Sequence, residues 1–108
     1  MISKKIVSRD LIREVLDDES IDFVDFELRV GEKVGYFSNR DRKKKYIDIH
    51  RLSNKCKEWA YREGYIVKSL VGMFAVANIN GIHENYVAPT EPEAIFLAAQ
   101  WVLDNKDK

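Results

Sequence analysis

The side chains able to do chemistry are few and scattered. His50 and Cys56 lie six residues apart in "HRLSNKC". On a helix that spacing turns them about 120° away from each other, so they do not share a substrate or a metal. His83 stands far off, in "GIHENY". No pair of His, Cys or carboxylate residues has zinc-ligand spacing, no glycine loop suits a phosphate, and no serine sits in a nucleophile elbow. Cys56 falls on the apolar face of its segment, where a free thiol ordinarily serves as a small buried hydrophobe. Asp17, Asp18 and Glu19 form an acidic run, which a solvated helix end accounts for, although acids are electrostatically poor there. The sequence predicts no catalytic residue, no metal ligand, no cofactor and no enzyme activity.

Charge is more informative than chemistry. The formal net charge is zero, yet the two signs are segregated. Residues 10 to 32 hold nine acids against Arg13 and Arg29, whereas residues 39 to 62 hold nine bases against Asp41, Asp48 and Glu58. Arg40, Arg42, Lys43, Lys44 and Lys45 are nearly consecutive. Arg51, Lys55 and Arg62 fall within about 40° of one another on the following helix, opposite its apolar face. Loop and helix face together predict a basic interaction patch for phosphates or an acidic protein. Asp22, Asp25 and Glu27 predict an acidic strand face, which guards a sheet edge or mimics nucleic acid toward a basic partner.

The elements that would position these groups follow from periodicity. Ser8 caps a first helix over 9–18, with Leu11, Ile12, Val15 and Leu16 as its stripe. The period then drops to two, with Val24, Phe26, Leu28 and Val30 alternating with Asp25, Glu27 and Arg29. "VGYFS" reads as the hairpin partner, and "NRDRKKK" as a basic loop or strand edge leading into Tyr46 and Ile47. Residues 49–63 form an amphipathic helix between an Asp48 cap and Gly64, with Ile49, Leu52, Cys56, Trp59 and Ala60 on its apolar arc. Three strands follow, divided at Gly72 and at Asn80-Gly81, the second divider being a type I′ signal. The closing segment "TEPEAIFLAAQWVLDN" has capping-box spacing from Thr90 to Glu93. It is apolar over roughly 260° of its circumference, so it must be covered on most sides. Helix 49–63 or a second subunit would supply that cover, with Ala98 and Ala99 allowing close approach to a sheet. Trp59 and Trp101 are expected near the edge of the core, where their N–H groups find partners.

The helix, three strands and helix from residue 49 onward resemble the double-stranded-RNA-binding domain, whose closing helix carries alanines at the steps of Ala94, Ala98-Ala99 and Val102-Leu103. That resemblance implies the αβββα fold. The lysines with which that family meets phosphates are replaced here by "TEPE", and Glu91 and Glu93 would repel a phosphate backbone. "NKCKEWAYREGY" followed by "TEPEAIFLAAQWVLDN" resembles small phage and prophage proteins of the phage ABA sandwich group. This second resemblance implies an accessory protein, an inhibitor or modulator of a host system, and carries over no functional residues.

Length and composition complete the expectations. The 108 residues suit one domain, 45% of them are hydrophobic, and twelve aromatics suffice for a core. No apolar run nears the roughly 18 residues of a membrane span. Charges interrupt "MISKKIVSRDLIREVLDD" where a signal peptide needs an apolar centre. The single cysteine suits a reducing cytoplasm. The fold class expected is α+β: an antiparallel sheet, made from an N-terminal hairpin and a three-stranded meander, covered by helices in αββ–αβββα order. Residues 1–47 would supply the helix and hairpin, and 48–108 the αβββα core. The function expected is non-enzymatic contact with a protein partner and no membrane, nucleic acid being the alternative partner, with a homodimer suggested by the closing helix.

Overall fold

The computed structural model describes residues 7–25 and 33–107, without the side chains of Phe23 and Asp25. Phe26, Glu27, Leu28 and Val30 of the expected alternation lie outside the described residues. The architecture is α+β, and the described residues form three helices and two antiparallel three-stranded sheets in the order αβββαβββα.

Helix α1 spans Arg9–Leu16. The Ser8 hydroxyl accepts from the Leu11 amide at 3.0 Å, satisfying one of the donors a helix start leaves open. Leu11, Ile12 and Val15 are buried, so the apolar stripe faces the core as its spacing requires. The helix stops two residues short of the expected end, because Asp17 adopts the left-handed conformation with φ 52°.

Strands β1 (Ile21–Asp25), β2 (Lys33–Ser38) and β3 (Lys43–Asp48) form the first sheet, with β2 central. Strand β1 begins at Ile21, three residues before the expected alternation, and has a register shift between Ile21 and Phe23. That bulge lets Ile21 and Val24 face the same side despite their odd separation. The basic stretch expected as a loop or strand edge is both: residues 39–42 form a turn, and Lys43, Lys44 and Lys45 open strand β3. That strand pairs with β2 from Ser38↔Lys43 to Lys33↔Asp48, across a four-residue turn that Arg42 closes with φ 52°.

Helix α2 (Ile49–Arg62) starts directly after β3. Asp48 accepts from the amides of His50 and Arg51 at 2.9 and 3.1 Å, where the helix dipole also favours an acid. The C-terminus closes through Gly64 at φ +93°: Tyr65 N–H reaches the Ala60 carbonyl and Gly64 N–H the Tyr61 carbonyl. That pair of bonds is a Schellman cap, which requires a left-handed residue where glycine stands. Replacing Asp48 with Ala is expected to lower stability by about 1 kcal/mol in urea denaturation, and Asp48→Asn by less.

Strands β4 (Val67–Val71), β5 (Ala75–Ile79) and β6 (Asn85–Ala88) form the second sheet, β5 central. The Asn80-Gly81 hairpin is not type I′. Only Gly81 has positive φ, +86°, and Ile82 N–H bonds to the Ile79 carbonyl. A positive φ at the second central residue alone is the type II pattern, and the connection continues to Asn85.

Helix α3 (Glu91–Asn105) is capped by the Thr90 hydroxyl, which accepts from the Glu93 amide at 3.5 Å, with Pro92 in the first turn. It lies between α2 on one side and β4, β5 and β6 on the other. Ala94, Ile95, Phe96, Ala98, Ala99 and Val102 are all 0–1% exposed. Trp59 is buried, while Trp101 sits half-buried, its ring edge-on to Tyr65 at 5.7 Å. The cover that the apolar girth of α3 demands therefore comes from α2 and the second sheet within one chain. That helix gives no reason for a second subunit.

Among the described residues the antiparallel strands divide into two sheets, hairpin and meander each pairing within themselves, and α1 packs on β1 while reaching α2 and α3. Polar clasps hold the elements together. Ser8 Oγ donates to Gln100 Oε1 at 2.9 Å, and Lys106 lies 3.4 Å from Glu14 and 3.8 Å from Glu63. Lys57 Nζ donates to Ser69 Oγ, which donates to Glu91, tying α2, β4 and α3 in one chain of bonds. Among the described residues no helix is long and apolar enough to cross a membrane.

Candidate interaction surfaces

The three consecutive lysines are divided between the two faces of a strand. Lys43, Lys44 and Lys45 occupy successive positions of β3, and side chains alternate across a strand. Lys43 and Lys45 share a face with Ser38 and Tyr36, their partners in register. Lys44 takes the opposite face with Phe37 and Tyr46, its ammonium 5.7 Å from the Tyr46 ring centre. β3 is also an edge strand, where lysines ordinarily discourage pairing with another chain. Arg51 and Arg62 are exposed on α2, and Lys55 is half-buried beside them on the helical wheel.

Nearby acids answer part of this charge. Arg40 lies 3.7 Å from Asp18, and Lys45 forms an ion pair with Asp41 in the turn. The Ser20 hydroxyl and amide donate to Asp18 Oδ1 at 2.5 and 2.9 Å. These bonds, with smaller help from Arg40 and Lys45 and against slight desolvation, hold the Asp18 carboxyl below the usual aspartate value. A carboxylate lowered by folding stabilises the fold above its unfolded pKa, and that contribution is lost as pH falls through the folded value. Asp18→Asn should therefore lose less stability than the unaltered protein between neutral pH and pH about 3, as urea titrations at both pH values would record.

The acidic trio is less easily assembled. Asp22 is exposed on β1 at the bulge, where its carbonyl receives Arg9 Nη1 at 3.5 Å. Asp25 pairs in register with Gly35, its side chain not described, and Glu27 lies outside the described residues. A different acidic region stands at the far end of α1, where Asp10, Glu14, Asp17 and Glu19 line a polar cleft of about 560 Å³ against Arg13 and Lys106. Both bases are engaged, Arg13 Nε with the Ile21 carbonyl at 2.6 Å and Lys106 with Glu14. Among the described residues no group of three or more His, Cys, Asp or Glu is arranged to hold a metal ion.

Of the chemically capable residues, Cys56 is 1% exposed, and burial pushes its thiol well above the ordinary value. His50 and His83 are exposed on separate elements, α2 and the β5–β6 connection.

The most distinctive surface is one the charge pattern conceals. In the second sheet Ala75, Ala77 and Ile79 point inward, so Val76 and Asn78 point outward. Register places Leu70, Val76 and Val87 in one outward row, and Lys68, Asn78 and Asn85 in the next. Met73 is 101% exposed at the β4–β5 tip, Leu70 73% and Phe74 55%. With Val71 and Val76 these residues line a shallow, mainly apolar hollow of about 530 Å³, with Asn78 and Asn85 at its polar end. A signal for it exists in the chain: from Ser69 to His83 no acid, lysine or arginine occurs, and apolar residues take both strand phases. A strand apolar on both faces needs cover on both. Helix α3 covers only one. Compared with family models, with curated proteins and with solved structures, this chain matches none.

Proposed function

We propose that this protein is a non-enzymatic interaction module that works by docking a protein surface against the outer face of its second sheet. The carrying observation is the open apolar area around Leu70, Met73, Phe74 and Val87. Each of these four side chains is more than half exposed, so the open apolar surface is on the order of a few hundred Å², the scale of the largest patch on an ordinary monomer. An uncharged surface of that kind rewards contact with another apolar surface and offers nothing to a phosphate. The rigid base beneath it, α3 held between sheet and α2, presents the patch with little ordering cost on binding. The resemblance of the α2 and α3 segments to small phage accessory proteins agrees with a role played by contact in a cytoplasmic setting.

The test is a photo-crosslinking residue at position 73, introduced in producing cells. A discrete cross-linked protein species, lost when Leu70 and Phe74 are both changed to Lys, is the expected result. A folded Leu70→Lys, Phe74→Lys protein giving the same adducts as the parent would end this reading.

Nucleic-acid binding through residues 40–45 is the second reading, favoured by Lys44 over the Tyr46 ring on an exposed face. Splitting of the lysines between two faces, and the acids beside Arg40 and Lys45, weigh against it. It requires a salt-dependent affinity for single-stranded RNA or DNA that falls on Lys44→Glu, Tyr46→Ala substitution.

A further inference from the structure

We infer that the occupant of the second sheet's outer face is a second copy of this chain, the two copies related by a two-fold axis. This rests on the docking reading above and names its partner. A two-fold interface sets the same patch against itself, so each surface must be complementary to its own image. Charged patches fail that requirement, because like charges then meet. The row Leu70, Val76 and Val87, with Met73 and Phe74 at the hairpin tip, carries no charge. Its polar border is equally self-compatible. Asn78 and Asn85 bear amides, each both donor and acceptor, so each can bond to the amide of the opposite copy. Lys68, the charged side chain in that second row, stands beside Asn78, two residues along β4 from Leu70 and away from Met73 and Phe74 at the tip.

The area suits a weak, reversible pair: an open apolar surface on the order of a few hundred Å² per copy falls at the low end of specific interfaces, below the ~800 Å² that each partner contributes to a standard one. The chain's zero net charge adds no long-range repulsion between copies. Sheet packed on sheet, with inner faces of branched and aromatic side chains, is also the ordinary way two such layers bury one another.

The experiment is light scattering of the full chain across a concentration series, with far-UV circular dichroism as the fold control. At roughly 100 μM, above the micromolar Kd expected at the weak end for such interfaces, the mass should be twice the 12.6 kDa of one chain. Leu70→Lys with Phe74→Lys alters two exposed side chains, so the fold should survive while self-association weakens more than tenfold. A parent protein that stays monomeric overturns the inference, as does a folded double variant that associates as tightly as the parent. The two readings separate cleanly. A monomer whose position-73 crosslinker captures a different polypeptide refutes the self-docked pair and leaves the docking function standing. A monomer with no adducts refutes both.

Discussion

Phe96→Ala should lower the free energy of unfolding by about 3–5 kcal/mol, a large part of the ~5–15 kcal/mol that holds a domain of this size together. Phe96 is the largest fully buried side chain among the described residues, at 0% exposure. It stands on α3, with α2 on one side of that helix and the second sheet on the other. Removing the ring loses its transfer free energy and leaves a cavity whose walls belong to several elements. Such walls relax little, which places the expected cost in the upper range. Urea denaturation should show an earlier midpoint with an unchanged slope. A loss below about 1 kcal/mol would show that α3 is not the enclosed element described above.

The second large effect comes from adding volume. Ala75, Ala77 and Ala88 on the sheet, and Ala94, Ala98 and Ala99 on α3, are all between 0 and 6% exposed. Small residues on both partners bring helix and sheet backbones close together. Ala77→Leu would drive three extra carbons into that contact, at an expected cost of about 1–3 kcal/mol, with the strand or the helix displaced. Lys68, exposed on the outer face of the neighbouring strand, gives the contrast, since Lys68→Ala should stay within about 0.5 kcal/mol. Equal effects at the two positions would mean that the sheet's inner and outer faces have been misassigned.

How legible this architecture was depends on which physical signal each element carries. The helices announced themselves, because Ser8, Asp48 and Thr90 are capping residues placed immediately before strong apolar periodicity, and Gly64 fits its left-handed cap. Their three N-caps are local facts that no distant contact overrides. Strand β3 was harder: three lysines conceal a strand from any reading based on hydrophobicity, and only Tyr46 and Ile47 hint at it. Its formation depends on pairing with β2, which is a tertiary fact. The division into two sheets was equally invisible, since alternation states that a strand has a buried face but not which strand lies beside it. For the interaction surface, charge drew attention to residues 40–45, where the structure places the lysines on both faces of an edge strand. The uncharged run from Ser69 to His83 carried a subtler message, that the outward as well as the inward positions of a hairpin are apolar.

Among the described residues each strand bonds only to the strand next to it in sequence, and both sheets are simple meanders. Loop closure is consequently cheap for every ladder, and pairing between neighbours in sequence favours rapid formation of each sheet. The expensive steps are the few that bridge the whole chain, Ser8 with Gln100 and Glu14 with Lys106. Weakening those clasps, as with Gln100→Ala, should therefore quicken unfolding while leaving the refolding rate nearly unchanged.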